Sequence, residues 1–214
     1  MTNLKCFINT ALETKIDLSN QNLKTIEEKA FAGDAFIEVV QLPDTINEIQ
    51  TGSFENCTKL KSIVIGSIPE SQKNEEETVI FTKISISNYQ SISEESKKKE
   101  EEAQIKAESE KEDNSSSSDK DKFLRIEYQA FRDCNELRTI VISAKNKSKL
   151  IIEKEAFSGC TNLRTLYISS NFKDISISDN AFEDCSKLTI ISKQDSNSEI
   201  ARYAREHKIR FIDA

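Results

Sequence analysis

Five times this chain writes one short phrase: an aromatic, a Cys or Asp three residues on, an aliphatic three further, then aliphatics at three and five beyond that. The fullest copies begin at Phe131 (F-R-D-C-N-E-L-R-T-I-V-I), Phe157 (F-S-G-C-T-N-L-R-T-L-Y-I) and Phe54 (F-E-N-C-T-K-L-K-S-I-V-I). Phe182 opens F-E-D-C-S-K-L-T-I-I. Phe31 opens a weaker copy, with Asp34 in the cysteine position and then Ile37, Val40 and Leu42. Phe31 and Phe54 are 23 residues apart, Phe131 and Phe157 are 26 apart, and Phe157 and Phe182 are 25 apart. A repeat of this length decides the architecture before any local propensity does, because one unit cannot bury its apolar face alone and stacked units can.

The closing I-x-I of each phrase alternates with period two and reads as a short strand: Ile63/Ile65, Ile140/Ile142, Leu166/Ile168. The Phe lies too far back to share that strand, and turn formers such as Gly33-Asp34 and Ser158-Gly159 stand between them. A second strand-like stretch precedes each Phe: Ile46 to Ile49, Leu124/Ile126, Leu150/Ile152 and Ile175/Ile177. Ala30, Ala130, Ala156 and Ala181, with Ser53 in the remaining copy, sit just ahead of the aromatic, where a small side chain lets coils approach closely. A unit of 20–29 residues with an L-x-x-L-x-L core predicts a leucine-rich repeat solenoid.

I-E-Y-Q-A-F-R-D-C-N-E-L-R-T-I-V-I and I-E-K-E-A-F-S-G-C-T-N-L-R-T-L-Y-I resemble the unit of the BspA-like (Treponema pallidum-type) leucine-rich repeat family over residues 23–66 and 123–214. The resemblance implies a β-rich, right-handed leucine-rich-repeat superhelix with short turns and helices and with N- and C-terminal caps. It also implies protein binding and adhesion at the cell surface, and it brings no catalytic residues and no cofactor. The chain departs from the family in a charged insertion and in keeping the usual Pro after the strand only in the first copy, at Pro43.

The organisation read from the sequence is as follows. Residues 1–22 form an N-terminal cap. Residues 23–93 are repeats, the last one degenerate, with 79–87 continuing the stack as a further coil. Residues 94–122 are a charged low-complexity insertion, 123–195 are repeats, and 196–214 are a helix–strand cap with Ser198 as N-cap. Phe131 follows Phe54 by 77 residues, about three periods, which is why at least six coils are expected. The insertion holds Ile105 as its only large apolar residue and cannot bury enough surface to offset its ordering entropy.

Cys57, Cys134, Cys160 and Cys185 share one repeat position, and Cys6 stands apart. The spacing predicts a ladder of buried thiols, because no CxxC pair offers metal ligands and the one histidine, His207, is remote. No nucleophile elbow, phosphate-binding loop, dinucleotide fingerprint or zinc-binding HExxH is present, so no catalytic residue, metal or cofactor is assigned. The net charge of −7 argues against nucleic acid as a partner, and no apolar run is long enough to insert in a membrane. The start has no evident secretory signal and points to the cytoplasm, whereas the family resemblance points to the cell surface.

The expected partner is a protein, with self-association as an alternative role. Alternate residues on the first strand of each coil would line a concave sheet: Val39/Gln41, Ser62/Val64, Thr139/Val141, Thr165/Tyr167 and Ile190/Ser192. Glu38, Lys61, Arg138 and Arg164 stand just ahead of these strands. The candidate binding residues are therefore Lys61, Val64, Arg138, Val141, Arg164 and Tyr167, with Arg and Tyr being residue types that often anchor interfaces. Read without that bias, the same strip is an ordinary solvated sheet face.

Overall fold

The computed structural model describes residues 14–67 and 122–213. Each repeat makes one coil with three sides. The first strands are β1 (Lys15–Asp17), β3 (Val39–Leu42), β5 (Ser62–Gly66), β7 (Thr139–Ser143), β9 (Thr165–Ile168) and β11 (Thr189–Ser192). They form a parallel sheet in that order, closed by the C-terminal β12 (Arg210–Asp213). The second strands are β2 (Thr25–Ile26), β4 (Glu48–Ile49), β6 (Phe123–Ile126), β8 (Lys149–Ile152) and β10 (Asp174–Ile177), and they form a five-stranded parallel sheet. The third side has no strand and carries the Phe and Cys of the repeated phrase.

Because successive coils are in register, identical positions stack. Val40, Ile63, Ile140, Leu166 and Ile190 face one another across successive strands, and all five are fully buried. The five Phe rings form one column, with centroids 4.9–5.1 Å apart and planes within 11° of parallel. That spacing is slightly more than the ~4.7–4.9 Å between hydrogen-bonded strands, so the sheets set the ring separation. Each ring pair adds about 0.5–1.5 kcal/mol beyond its area burial.

The turn side bends tightly at fixed points. Two residues after the Phe, Gly33, Asn56, Asp133, Gly159 and Asp184 all have φ between 58° and 75°. Gly, Asn and Asp are the residues that enter this left-handed region most readily. At Gly159 a side chain would also collide with the Asp133 carboxylate of the preceding coil.

In three coils the first and second strands are joined by five residues, 43–47, 144–148 and 169–173, and in the first coil by seven, 18–24. Between β5 and β6 the connection is 67–122. Even so, β5 pairs directly with β7, β4 pairs with β6, and Phe54 stacks on Phe131 at 5.0 Å. No coil stands between those of Phe54 and Phe131, which corrects the expectation of a sixth coil interposed there. Residues 79–87, the insertion and most of the N-terminal cap lie outside the described residues.

The other correction concerns β11. Its register pairs Ile190 with Leu166 and Ser192 with Ile168, so Ile190 and Ser192 point into the core and Thr189 and Ile191 point out. This copy has one residue fewer between its leucine, Leu188, and the strand, and a one-residue shift exchanges the two faces. The opposite register would have turned Lys193 inward. Ser192 is the cheaper occupant, because its buried hydroxyl donates to the Ile168 carbonyl at 2.9 Å.

The C-terminal cap follows the sequence reading. Helix α1 (Glu199–Glu206) begins at Ser198, whose hydroxyl accepts from the Ala201 N–H, and it buries Ile200, Ala201, Tyr203 and Ala204. Tyr203 meets Phe182 edge-on at 6.3 Å and ends the aromatic column.

Candidate interaction surface

The residue ahead of each first strand belongs to a continuous backbone ladder. The Lys61 N–H donates to the Glu38 carbonyl (2.7 Å), Arg138 to Lys61 (2.9 Å), Arg164 to Arg138 (2.9 Å) and Thr189 to Arg164 (2.8 Å). Lys61, Arg138 and Arg164 are therefore immediate neighbours in successive coils; the repeat positions place Arg138 beside Arg164, whereas the expected interposed coil would have separated Lys61 from Arg138. Lys61 pairs with Glu38 at 2.9 Å, whereas the Arg138 and Arg164 side chains are exposed. Beside them Lys59 and Glu136 form a 2.9 Å ion pair. Lys59, with Lys61 and Arg138 behind it, holds the Glu136 carboxyl below its ordinary value.

The outward row of the sheet reads Gln41, Val64, Val141, Tyr167 and Ile191 in register. The structure brings Val64, Val141 and Tyr167 together, but not as an open strip: they are 6%, 3% and 2% exposed and stand outside the core cluster. Ser62 and Thr139 are buried in the neighbouring row, and the Ser62 hydroxyl has no hydrogen-bond partner among the described residues. Of the six candidate residues, Arg138 and Arg164 are thus the exposed ones.

The cysteine column is buried and free of disulfides among the described residues. Each thiol also has a role that spacing alone does not reveal. Cys57, Cys134, Cys160 and Cys185 donate to the carbonyl of the Phe in the preceding coil at 3.0–3.2 Å. Burial pushes the Cys185 thiol up to about 12, and Cys57 and Cys134 are likewise raised, first by the neighbouring thiol. Asp34, in the same position of the first copy, instead accepts from the Phe36 and Ile37 N–H groups at 2.8 and 3.0 Å. Its carboxylate thus caps the turn.

His207 stacks on Tyr203 at 4.2 Å near the end of α1 and lies 3.8 Å from the Asp179 carboxylate. Among the described residues no group of three or more His, Cys, Asp or Glu is placed to hold a metal ion. Among them, too, no helix is long and apolar enough to cross a membrane.

A family model described as a BspA type leucine rich repeat region matches the chain in six copies, over residues 2–103 and 113–210. No curated protein matches it. Among solved structures, a leucine rich cell surface protein from Faecalibacterium prausnitzii A2-165 is similar at 19% identity with a TM-score of 0.49. The match covers 90% of this chain and 34% of that one, so the chain spans about a third of that protein's length.

Proposed function

The chain belongs to the BspA-type leucine-rich repeat family, and from that premise we propose that it is a non-enzymatic module that binds a protein ligand on the outer face of its seven-stranded sheet. The observation that carries this reading is the alignment of Lys61, Arg138 and Arg164 in adjacent coils, with both arginines exposed. The two exposed arginines on a rigid repeat present a fixed charge pattern at strand spacing, and a rigid site loses little entropy on binding. Val64, Val141 and Tyr167 lie beside these cations but are almost fully buried, so the arginines would make the contact, and an acidic ligand surface is their complement.

The setting we propose is cell-surface adhesion, the usual role of the family, with a cytosolic scaffold as the alternative. End-to-end assembly is the structural alternative, with α1 packed on β10 and β12 forming the C-terminal edge of the seven-stranded sheet.

The test is quantitative capture of the ligand by the full chain and by an Arg138→Glu/Arg164→Glu variant. Both side chains are exposed, so the variant should fold and bind at least about tenfold more weakly, a loss of ~1.4 kcal/mol. Undiminished binding would move the site elsewhere. Surface labelling of intact cells separates adhesion from scaffolding.

A further inference from the structure

Within the stack, each turn donates backbone N–H groups to the coil that follows. Phe31 donates to Ser53, Phe54 to Ala130, Phe131 to Ala156 and Phe157 to Ala181, each at 2.8 Å. Two residues on, Gly33 donates to Glu55, Asn56 to Arg132, Asp133 to Ser158 and Gly159 to Glu183, at 2.7–3.0 Å. At the last coil this ladder stops. Among the described residues, neither the Phe182 N–H nor the Asp184 N–H has a partner. Helix α1 covers the Phe182 ring through Tyr203 and β12 extends the larger sheet, but no described carbonyl of either accepts from the Phe182 or Asp184 N–H. An open cavity of about 430 Å³ lies there instead, lined by Phe182, Asp184, Cys185, Leu188, Tyr203 and His207 among others. That volume is within the ~300–1,000 Å³ usual for ligand sites.

We propose that this groove docks one extended, basic peptide segment of a partner protein, whose backbone carbonyls accept from the Phe182 and Asp184 N–H groups. Each interior coil fills the equivalent place with carbonyls two residues apart, Ala156 and Ser158 being one such pair. An extended peptide presents carbonyls at that same alternation, as in recognition by strand addition. The rim selects the charge. Asp179, whose side chain is 98% exposed, and the exposed Glu183 and Asp184 outweigh Lys208. The floor of Phe182, Leu188 and Tyr203 accepts an apolar side chain that follows the basic ones. This surface is separate from the arginine row and opposite to it in sign, so the two proposals stand or fall independently.

The experiment uses the full chain and a synthetic octapeptide copying residues 153–160 with Glu153→Lys, Glu155→Lys and Cys160→Ser. Amide exchange is followed by NMR, and binding by fluorescence anisotropy. In the free protein the Phe182 and Asp184 amides should exchange faster than those of Phe157 and Gly159. Saturating peptide should slow them by about tenfold or more, and Asp179→Lys/Glu183→Lys should weaken binding by a similar factor. Protection of both amides before peptide is added would overturn the proposal. So would unchanged exchange with peptide, or binding indifferent to the charge reversal. Protection that appears only with protein concentration, together with dimers by light scattering, would make a second copy the occupant and equally overturn it.

Discussion

Phe157 and Phe182 hold the same place in neighbouring coils, yet their surroundings differ. Phe157 is fully buried between two parallel rings, each 5.1 Å away, and its N–H is bonded to the next coil. Phe182 has one stacked ring, the edge of Tyr203 on its other side, 7% exposure and an N–H with no partner among the described residues. The difference teaches that a repeat position has no fixed worth. On the turn side, interior coils use the backbone donors of the Phe position and of the second residue after it, and the Phe ring, on their neighbours, and what remains for recognition is where the repeat ends or where alternate residues face out.

The largest test of this contrast is truncation of the two aromatics. Phe157→Ala should cost about 3–5 kcal/mol in chemical denaturation, the usual range for a buried Phe. Phe182→Ala should cost measurably less, because its cavity lies next to an opening. Equal losses would erase the distinction between interior and end.

Ile190→Ala and Ile191→Ala sharpen it within the terminal coil. Ile190 is fully buried and should cost about 2–4 kcal/mol, whereas the half-buried Ile191 should cost less than about 1 kcal/mol. A reversed order would mean that β11 holds the register the repeat spacing alone suggests.

Ser198→Ala removes the hydroxyl that caps α1 and should lower the melting free energy by about 1 kcal/mol. The Phe182 coil should loosen with it, and that is checked by comparing exchange at Cys185 and Cys160 amides.

The smallest effect near neutral pH comes from the thiols. Cys185 has an ordinary value of 9.0 and a folded value of about 12. The folded state therefore holds the thiol proton more tightly, and this stability is fully present below pH 9 and lost as pH rises toward 12. Melting temperatures should be flat from pH 7 to 8.5 and fall above 9, with a shallower fall in Cys185→Ser.

The positions that make the stack were legible in the chain itself. The Phe, Cys and aliphatic spacings give the coil, the strands and the in-register columns, because burial at those positions leaves few residue types that fit. Three features were not legible, each for a physical reason. The 77 residues between Phe54 and Phe131 suit three periods arithmetically, and only the pairing of β5 with β7 shows that the two coils touch. The one-residue shortening after Leu188 exchanges Ile190 for Ile191, two side chains that composition cannot tell apart. The shielding of Val64, Val141 and Tyr167 does not follow from alternation, which says which face a residue takes but not what becomes of that face. By contrast, the adjacency of Arg138 and Arg164 followed directly from their equivalent repeat positions, whereas that of Lys61 and Arg138 shows only in the pairing of β5 with β7.

The most direct test of the proposed binding face is site-specific photo-cross-linking, with a photoreactive residue at Thr165, beside Arg164, or at Ile151 on the five-stranded sheet. Both positions are partly exposed strand residues of neighbouring coils, so they differ chiefly in which sheet they report. The account predicts that one ligand protein cross-links from position 165 and not from 151, and that Arg138→Glu removes the product. The same products from both positions, or a product at 165 that survives Arg138→Glu unchanged, would contradict it.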